Sequence, residues 1–191
     1  MNAFPSIPDW DGIHPVAVQF AVVLFCLAPV LLVASLLSRK AWETWARATL
    51  LVMALGAVAA WLAVASGHAA AQLVDKTAAL QHEISAHEAL GVQTRNLFTL
   101  CTLAFGLLVF LPVWLRRKLP NVARLALYAS FLIVGLAATL VMARAASLGG
   151  RLVHESGVQA MVVRAEPAAE PSEAAPEPQH KTPSAPPPAA P

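Results

Sequence analysis

Histidine side chains give this chain its clearest capacity for chemistry, because a neutral imidazole binds transition metals and haem iron. The sequence contains six of them, and His180 is incidental because it lies in a proline-rich stretch. No CxxCH or HExxH motif accompanies the others, so only their places on the predicted helices can indicate a site. These five are His14, His68, His82, His87 and His154.

Four long apolar segments lie between these histidines and define the fold. The chain is 58% hydrophobic and 13% charged, whereas soluble domains average about 45–50% and about 25%. Each segment has about 20 residues without a formal charge, which is enough for a helix to cross a bilayer. The sequence therefore predicts an all-α four-helix transmembrane bundle over residues 16–163, with spans at about 16–37, 48–66, 97–115 and 125–143.

The two short connections between these spans are basic, and this predicts the orientation. Residues 1–15 contain no lysine or arginine, so no cleavable signal peptide is expected. The positive-inside rule places the short loops in the cytoplasm, and both termini and the middle connection outside. We expect a multi-pass protein of the bacterial inner membrane whose outward side is periplasmic. The basic residues of the two loops are Arg39, Lys40, Arg47, Arg116, Arg117, Lys118 and Arg124.

The segments outside the predicted spans differ in composition. Residues 67–96 are rich in alanine, leucine, glutamine and glutamate and contain no proline. This composition favours helical extensions of the second and third spans, standing above the membrane as an antiparallel hairpin. Residues 165–191 are dominated by proline, alanine and glutamate, cannot bury a core, and are predicted to form a disordered tail.

Distances along these helices predict two levels of histidine on the outward side. His14 and His68 lie close to the ends of their spans, whereas His87 and His154 lie about 15 Å higher at about 1.5 Å per residue. Two levels allow two pairs of imidazoles, and such a pair can hold a b-type haem between facing helices. Gly91, one turn after His87, leaves room beside that ligand for a flat macrocycle. His82, five residues from His87, points elsewhere around the helix.

Two alternatives remain open from the residues alone. Gly149 and Gly150 favour an early end to the fourth helix, which would lower His154 and gather three or four imidazoles into a compact metal site. Alternatively, all five histidines are solvated at the outer face and bind nothing.

The two ends of the apolar region resemble a family of bacterial membrane proteins called domain of unknown function 2231. IHPVAVQF at residues 13–20 is similar to the family's opening, and GGRLVHESGV at residues 149–158 is similar to its closing signature. The resemblance covers residues 13–163 and implies four spans. It also implies a companion of redox modules, since similar domains occur fused to Rieske-type or cytochrome c segments. The family's histidine positions correspond to His14, His87 and His154 and, with a weaker match, to His68.

Two functions from different classes follow. In the first, His14, His68, His87 and His154 bind haem b or a metal, and the chain passes electrons between a quinone and a periplasmic redox protein. In the second, the chain is a membrane scaffold or accessory subunit without a cofactor. Neither is a stand-alone enzyme, and neither involves nucleic acid. A solute transporter is disfavoured because no chain of ionisable residues crosses the spans, and the oligomeric state is left open.

Overall fold

A computed structural model describes residues 10, 12–38, 40–74, 77–116 and 119–158, which form four α-helices and no strand. Each helix contains an apolar stretch long enough to cross a membrane. The predicted all-α class and the four predicted spans are therefore confirmed. The predicted disordered tail, residues 165–191, lies outside the described residues. The helices are α1 (His14–Leu37), α2 (Trp42–Gln72), α3 (Ala78–Trp114) and α4 (Asn121–His154).

The helices extend beyond the apolar segments at one end of the bundle, as the composition of the middle connection predicts. α2 continues to Gln72, and α3 begins at Ala78, where the Thr77 side chain accepts a hydrogen bond from the Leu80 backbone N–H. α4 also continues through Gly149 and Gly150 to His154, so the alternative in which it ends early is wrong. A glycine costs only about 1 kcal/mol relative to alanine inside a helix, and a close contact described below requires Gly149.

The four helices form a closed ring in which each contacts its neighbours. α1 packs on α2 and α4, and α3 packs on the same two helices from the other side. The diagonal pair α1 and α3 meets through side chains at the centre, where Phe25 and Phe98 stack with ring centres 3.6 Å apart and planes 13° from parallel. Large apolar side chains cover the outside of the ring, as lipid contact requires.

The two ends of the bundle differ in chemistry. We call the end where α1 and α3 begin the histidine end, because it carries His14 and His87. We call the opposite end the arginine end, because Arg47, Arg116 and Arg124 lie near the short connections there.

Candidate functional site

Two histidines from diagonal helices meet at the histidine end. His14 begins α1 and His87 lies in the first part of α3, yet their ring centres are 6.5 Å apart and their planes are 86° from parallel. Both side chains are partly buried. The bundle therefore brings together two of the residues that the sequence singles out, one from each side of its central axis.

A backbone carbonyl fixes the position of one proton on each ring. Nδ1 of His14 lies 2.7 Å from the carbonyl oxygen of Ala63 on α2, and Nδ1 of His87 lies 3.0 Å from that of Ala145 on α4. A carbonyl oxygen only accepts hydrogen bonds, so each Nδ1 carries the proton and donates. In the neutral ring Nε2 then keeps its lone pair, which is the form in which imidazole binds a metal.

A glycine one turn further along the accepting helix makes room for each ring. A methyl group on Gly67 would lie 2.8 Å from Cε1 of His14, and one on Gly149 would lie 2.9 Å from Cε1 of His87. Such distances are too short for carbon atoms in contact. Any larger residue at these positions would therefore have to displace the imidazole.

These contacts repeat in the two halves of the chain. Phe25 follows His14 by eleven residues and Phe98 follows His87 by eleven, a distance of three helical turns. Because the histidines contact each other and the phenylalanines contact each other, hairpin α1–α2 corresponds to hairpin α3–α4 about an approximate two-fold axis along the bundle. The accepting Ala-x3-Gly unit also occurs twice, at residues 63–67 and 145–149.

A cavity of about 130 Å³ is lined by both histidines and by residues of all four helices. Most of its lining residues are small and apolar. Two pairs of corresponding lining residues differ in polarity, because Ala21 and Val22 in α1 correspond to Thr94 and Arg95 in α3. Thr94 is 7% exposed, and its Oγ1 has no hydrogen-bond partner among the described residues. A buried hydroxyl in a cavity wall is available as a hydrogen-bond partner for a water molecule or a ligand in that cavity.

The other candidate histidines do not join this pair. Nδ1 of His68 lies 3.1 Å from Oε1 of Glu88, with half of the His68 side chain exposed at the edge of the cavity. His82 and His154 are exposed and lie outside the cavity lining. No group of three or more histidine, cysteine, aspartate or glutamate side chains suited to a metal ion occurs in the described part of the chain. The compact site of three or four imidazoles is therefore not formed.

The prediction of two levels is wrong, since His14 and His87 lie at one level. The third span was predicted to begin at Leu97 because the charged Arg95 lies just before it. This boundary placed His87 too high above the membrane. The guanidinium of Arg95 lies 4.0 Å from the ring centre of Trp61, which allows this charge to sit beside the apolar part of α2. The bond between Trp61 Nε1 and Thr99 Oγ1, at 3.2 Å, shows the same register between α2 and α3.

Comparison with known proteins identifies the family. Residues 11–161 match the family model described as predicted membrane protein, domain of unknown function 2231. The chain belongs to this family. No curated protein and no solved structure matches the chain. The matched range includes all four helices. It therefore contains both histidines of the pair and the two glycines that accommodate them.

The repeat is the feature that sequence reasoning missed. The signal is present in the spacing, because each half of this domain-2231 protein contains one His-x10-Phe unit followed by an Ala-x3-Gly unit. Aligning the two halves on these units pairs His14 with His87 from the sequence alone. Hydropathy cannot do so, since it records only the apolar character of each segment.

Proposed function

We propose that this domain-2231 protein is an electron-transfer subunit in which His14 and His87 ligate one metal centre, with haem b as the group that suits the pair best. The observation that carries the proposal is the spacing of the two rings. Two metal–nitrogen bonds of about 2 Å each, with about 1 Å from each nitrogen to its ring centre, give about 6 Å between the centres of two imidazoles on one metal. The observed separation is 6.5 Å.

The composition of the site supports haem over a metal held by the protein alone. Only two nitrogen ligands converge, and haem iron needs only two from the protein because the macrocycle supplies the rest. The cavity walls are mainly apolar, while Glu88 and Arg95 lie among the lining residues and provide charged groups for the polar edge of such a cofactor. A whole macrocycle exceeds the cavity of about 130 Å³, so its binding requires lining side chains to move apart.

Each part of the pocket has a defined task in this proposal. A bound haem would supply an iron that accepts and releases one electron at a time. The carbonyls of Ala63 and Ala145 hold the two imidazoles in the tautomer that presents Nε2. Phe25, stacked on Phe98, forms the wall of the cavity that lies deepest in the bundle. The small residues around the axis exclude water, which favours a defined reduction potential.

A second candidate is a copper(I) ion bound by the same two histidines. Met142 is among the lining residues, and a thioether together with imidazole suits copper(I). A single ion also fits a cavity of about 130 Å³ without movement of its walls. The remaining alternative is the cofactor-free membrane scaffold that the sequence also allows.

The test is an absorption spectrum and a metal analysis of the detergent-purified full chain, after expression with haem and copper supplied. We expect a reduced-minus-oxidised haem spectrum that His14→Ala and His87→Ala each abolish. His82→Ala and His154→Ala are matched controls and should retain it, since both side chains lie outside the cavity. Stoichiometric copper without a haem spectrum would favour the second candidate. A colourless, metal-free protein would exclude both and leave the scaffold.

We further propose that the histidine end faces the periplasm of the bacterial inner membrane, where a quinone or a periplasmic redox protein exchanges electrons with the site. The support is the basic character of the short connections, through the positive-inside rule. A phosphatase reporter fused after Arg164 should be active, and a cytoplasmic fluorophore at the same position should be dark. The reverse pattern would overturn this orientation.

A further inference from the structure

A second and larger cavity lies at the arginine end of the bundle. Its volume is about 510 Å³, within the range of sites that hold small molecules. It lies between the start of α2, the end of α3 and the start of α4, and shares no residue with the histidine pocket. Leu108, Val109 and Tyr128 form part of an apolar wall, while charged side chains occupy other parts of the lining.

Three arginines give this cavity a positive charge. Arg47, Arg116 and Arg124 line it together with one carboxylate, Glu43, whose Oε2 lies 3.5 Å from an Arg47 guanidinium nitrogen. The guanidinium of Arg124 lies 4.2 Å from the ring centre of Trp42, which orients it by a cation–π contact. The combination of a fixed guanidinium, two further cations and a single carboxylate favours an anionic ligand.

The backbone at Arg116 gives an independent indication that this arginine has a function. Its φ angle is +52°, and no other non-glycine residue in the described ranges has a positive φ. Arg116 directly follows the C-cap of α3, where the left-handed conformation is usually taken by glycine. An L-residue there is strained, because its Cβ approaches the following carbonyl oxygen. The chain therefore carries a charged side chain where an uncharged glycine would be easier to accommodate.

We propose that this cavity binds the headgroup phosphate of an anionic phospholipid. The arginines match a phosphate, for which the guanidinium group supplies paired donors. The apolar wall, together with Val113 on the bundle's exposed outer face, matches the first carbons of the acyl chains. A free anion would use only the arginines and leave the apolar wall in water. Basic pockets between transmembrane helices are a common setting for such lipids.

The lipid site is independent of the proposed metal centre. Lipid binding there does not need the two histidines. The proposal also does not depend on which side of the membrane the arginine end faces. Its role is to fix one lipid between α2, α3 and α4, the three helices that line the cavity.

The experiment uses the full chain in detergent and native mass spectrometry to count bound lipid. Phosphatidylglycerol should remain bound in preference to phosphatidylcholine with the same acyl chains. Arg116→Gly and Arg124→Gln should each weaken phosphatidylglycerol binding about fivefold, in line with about 1 kcal/mol per basic residue near anionic lipid. Arg144→Gln is the matched control and should leave binding unchanged, since Arg144 is exposed on α4 and does not line the cavity.

Thermal unfolding separates a lost site from a lost fold. Arg116→Gly removes the charge but provides the residue that the left-handed conformation favours, so its apparent melting temperature should equal or exceed that of the parent. Equal binding of both lipids, or unchanged phosphatidylglycerol binding in Arg116→Gly and Arg124→Gln, would overturn the proposal. Competition by glycerol 1-phosphate at the same concentration as the lipid would also overturn it, since that result describes a site for free anions.

Discussion

Hairpins α1–α2 and α3–α4 carry the same arrangement of histidine, phenylalanine, alanine and glycine, but differ in what surrounds it. The groups that are alike are those that position the imidazoles. The groups that differ are neighbours of these positioning residues. Ser66 shares the Ala63 carbonyl with His14 at 3.2 Å, whereas α4 has Leu148 at the corresponding position. The comparison indicates that holding two equivalent rings on the axis is the common task of the two hairpins.

The packing around the stacked phenylalanines also differs between the two hairpins. Gly56 on α2 allows the Phe25 ring to approach, because a methyl group there would lie 2.7 Å from Cε1 of Phe25. The corresponding position of α4 holds Ala138, which is 1% exposed and packs in the same core cluster as Phe98. The packing around the stacked pair therefore departs from two-fold symmetry, and the closer contact between helices is in the first hairpin.

The largest expected effect comes from the two glycines beside the histidines. Gly67→Ala and Gly149→Ala should each lower metal or haem retention about 10–100-fold, the range seen when groups that orient a ligand are altered. The reason is the 2.8 Å and 2.9 Å approach of the new methyl groups to the imidazoles. Retention is measured by the absorption spectrum and metal content after purification.

Gly150→Ala is the matched control, because a methyl group there has no atom within 4 Å. It should leave retention unchanged and support the helix slightly. Similar losses from Gly67→Ala and Gly149→Ala would show that the two hairpins contribute equally. A loss in only one of them would show that the two-fold correspondence does not extend to ligation.

A smaller effect is expected from the central pair. Gly56→Ala should destabilise the protein by about 1–3 kcal/mol, because the added methyl group overpacks the contact with Phe25. Gly135→Ala, with no atom within 4 Å of the new methyl group, should instead stabilise it by up to about 1 kcal/mol. Thermal unfolding in detergent distinguishes the two. Equal melting temperatures would mean that the closer packing of the first hairpin has no energetic consequence.

The sequence predicted the helices and their extensions because these depend on local composition. An apolar run of sufficient length forms a transmembrane helix whatever its partners are. The residues between 67 and 96 favour a helix by propensity, and the structure confirms this over 67–72 and 78–96. Local information was therefore sufficient for the architecture.

The pairing of His14 with His87 depended on information that local composition does not contain. It required the register between α2 and α3, and the apparent boundary at Arg95 placed that register wrongly. Two features fix it instead, the stacking of Arg95 on Trp61 and the bond from His68 to Glu88. Both join residues far apart in sequence, so local composition does not predict them. The repeated spacing of the two hairpins would have paired the histidines without knowledge of either contact.

The smallest expected effect concerns the buried polar difference between Ala21 and Thr94 in the cavity. Thr94 corresponds to Ala21 in the other hairpin, and its buried hydroxyl has no partner among the described residues. An unsatisfied buried hydroxyl costs about 1–3 kcal/mol, so Thr94→Val should raise the stability of the metal-free protein. It should also lower retention of the bound group a few-fold, since a hydrogen bond contributes about 0.5–1.5 kcal/mol.

Thr102→Val is the matched control, because the Thr102 hydroxyl already donates to the Phe98 carbonyl at 2.8 Å. That variant should be slightly less stable with unchanged retention, and melting curves with and without the cofactor measure both quantities. If Thr94→Val behaves like Thr102→Val, the hydroxyl does not contact the bound group, and the polar difference between the hairpins has no part in the site.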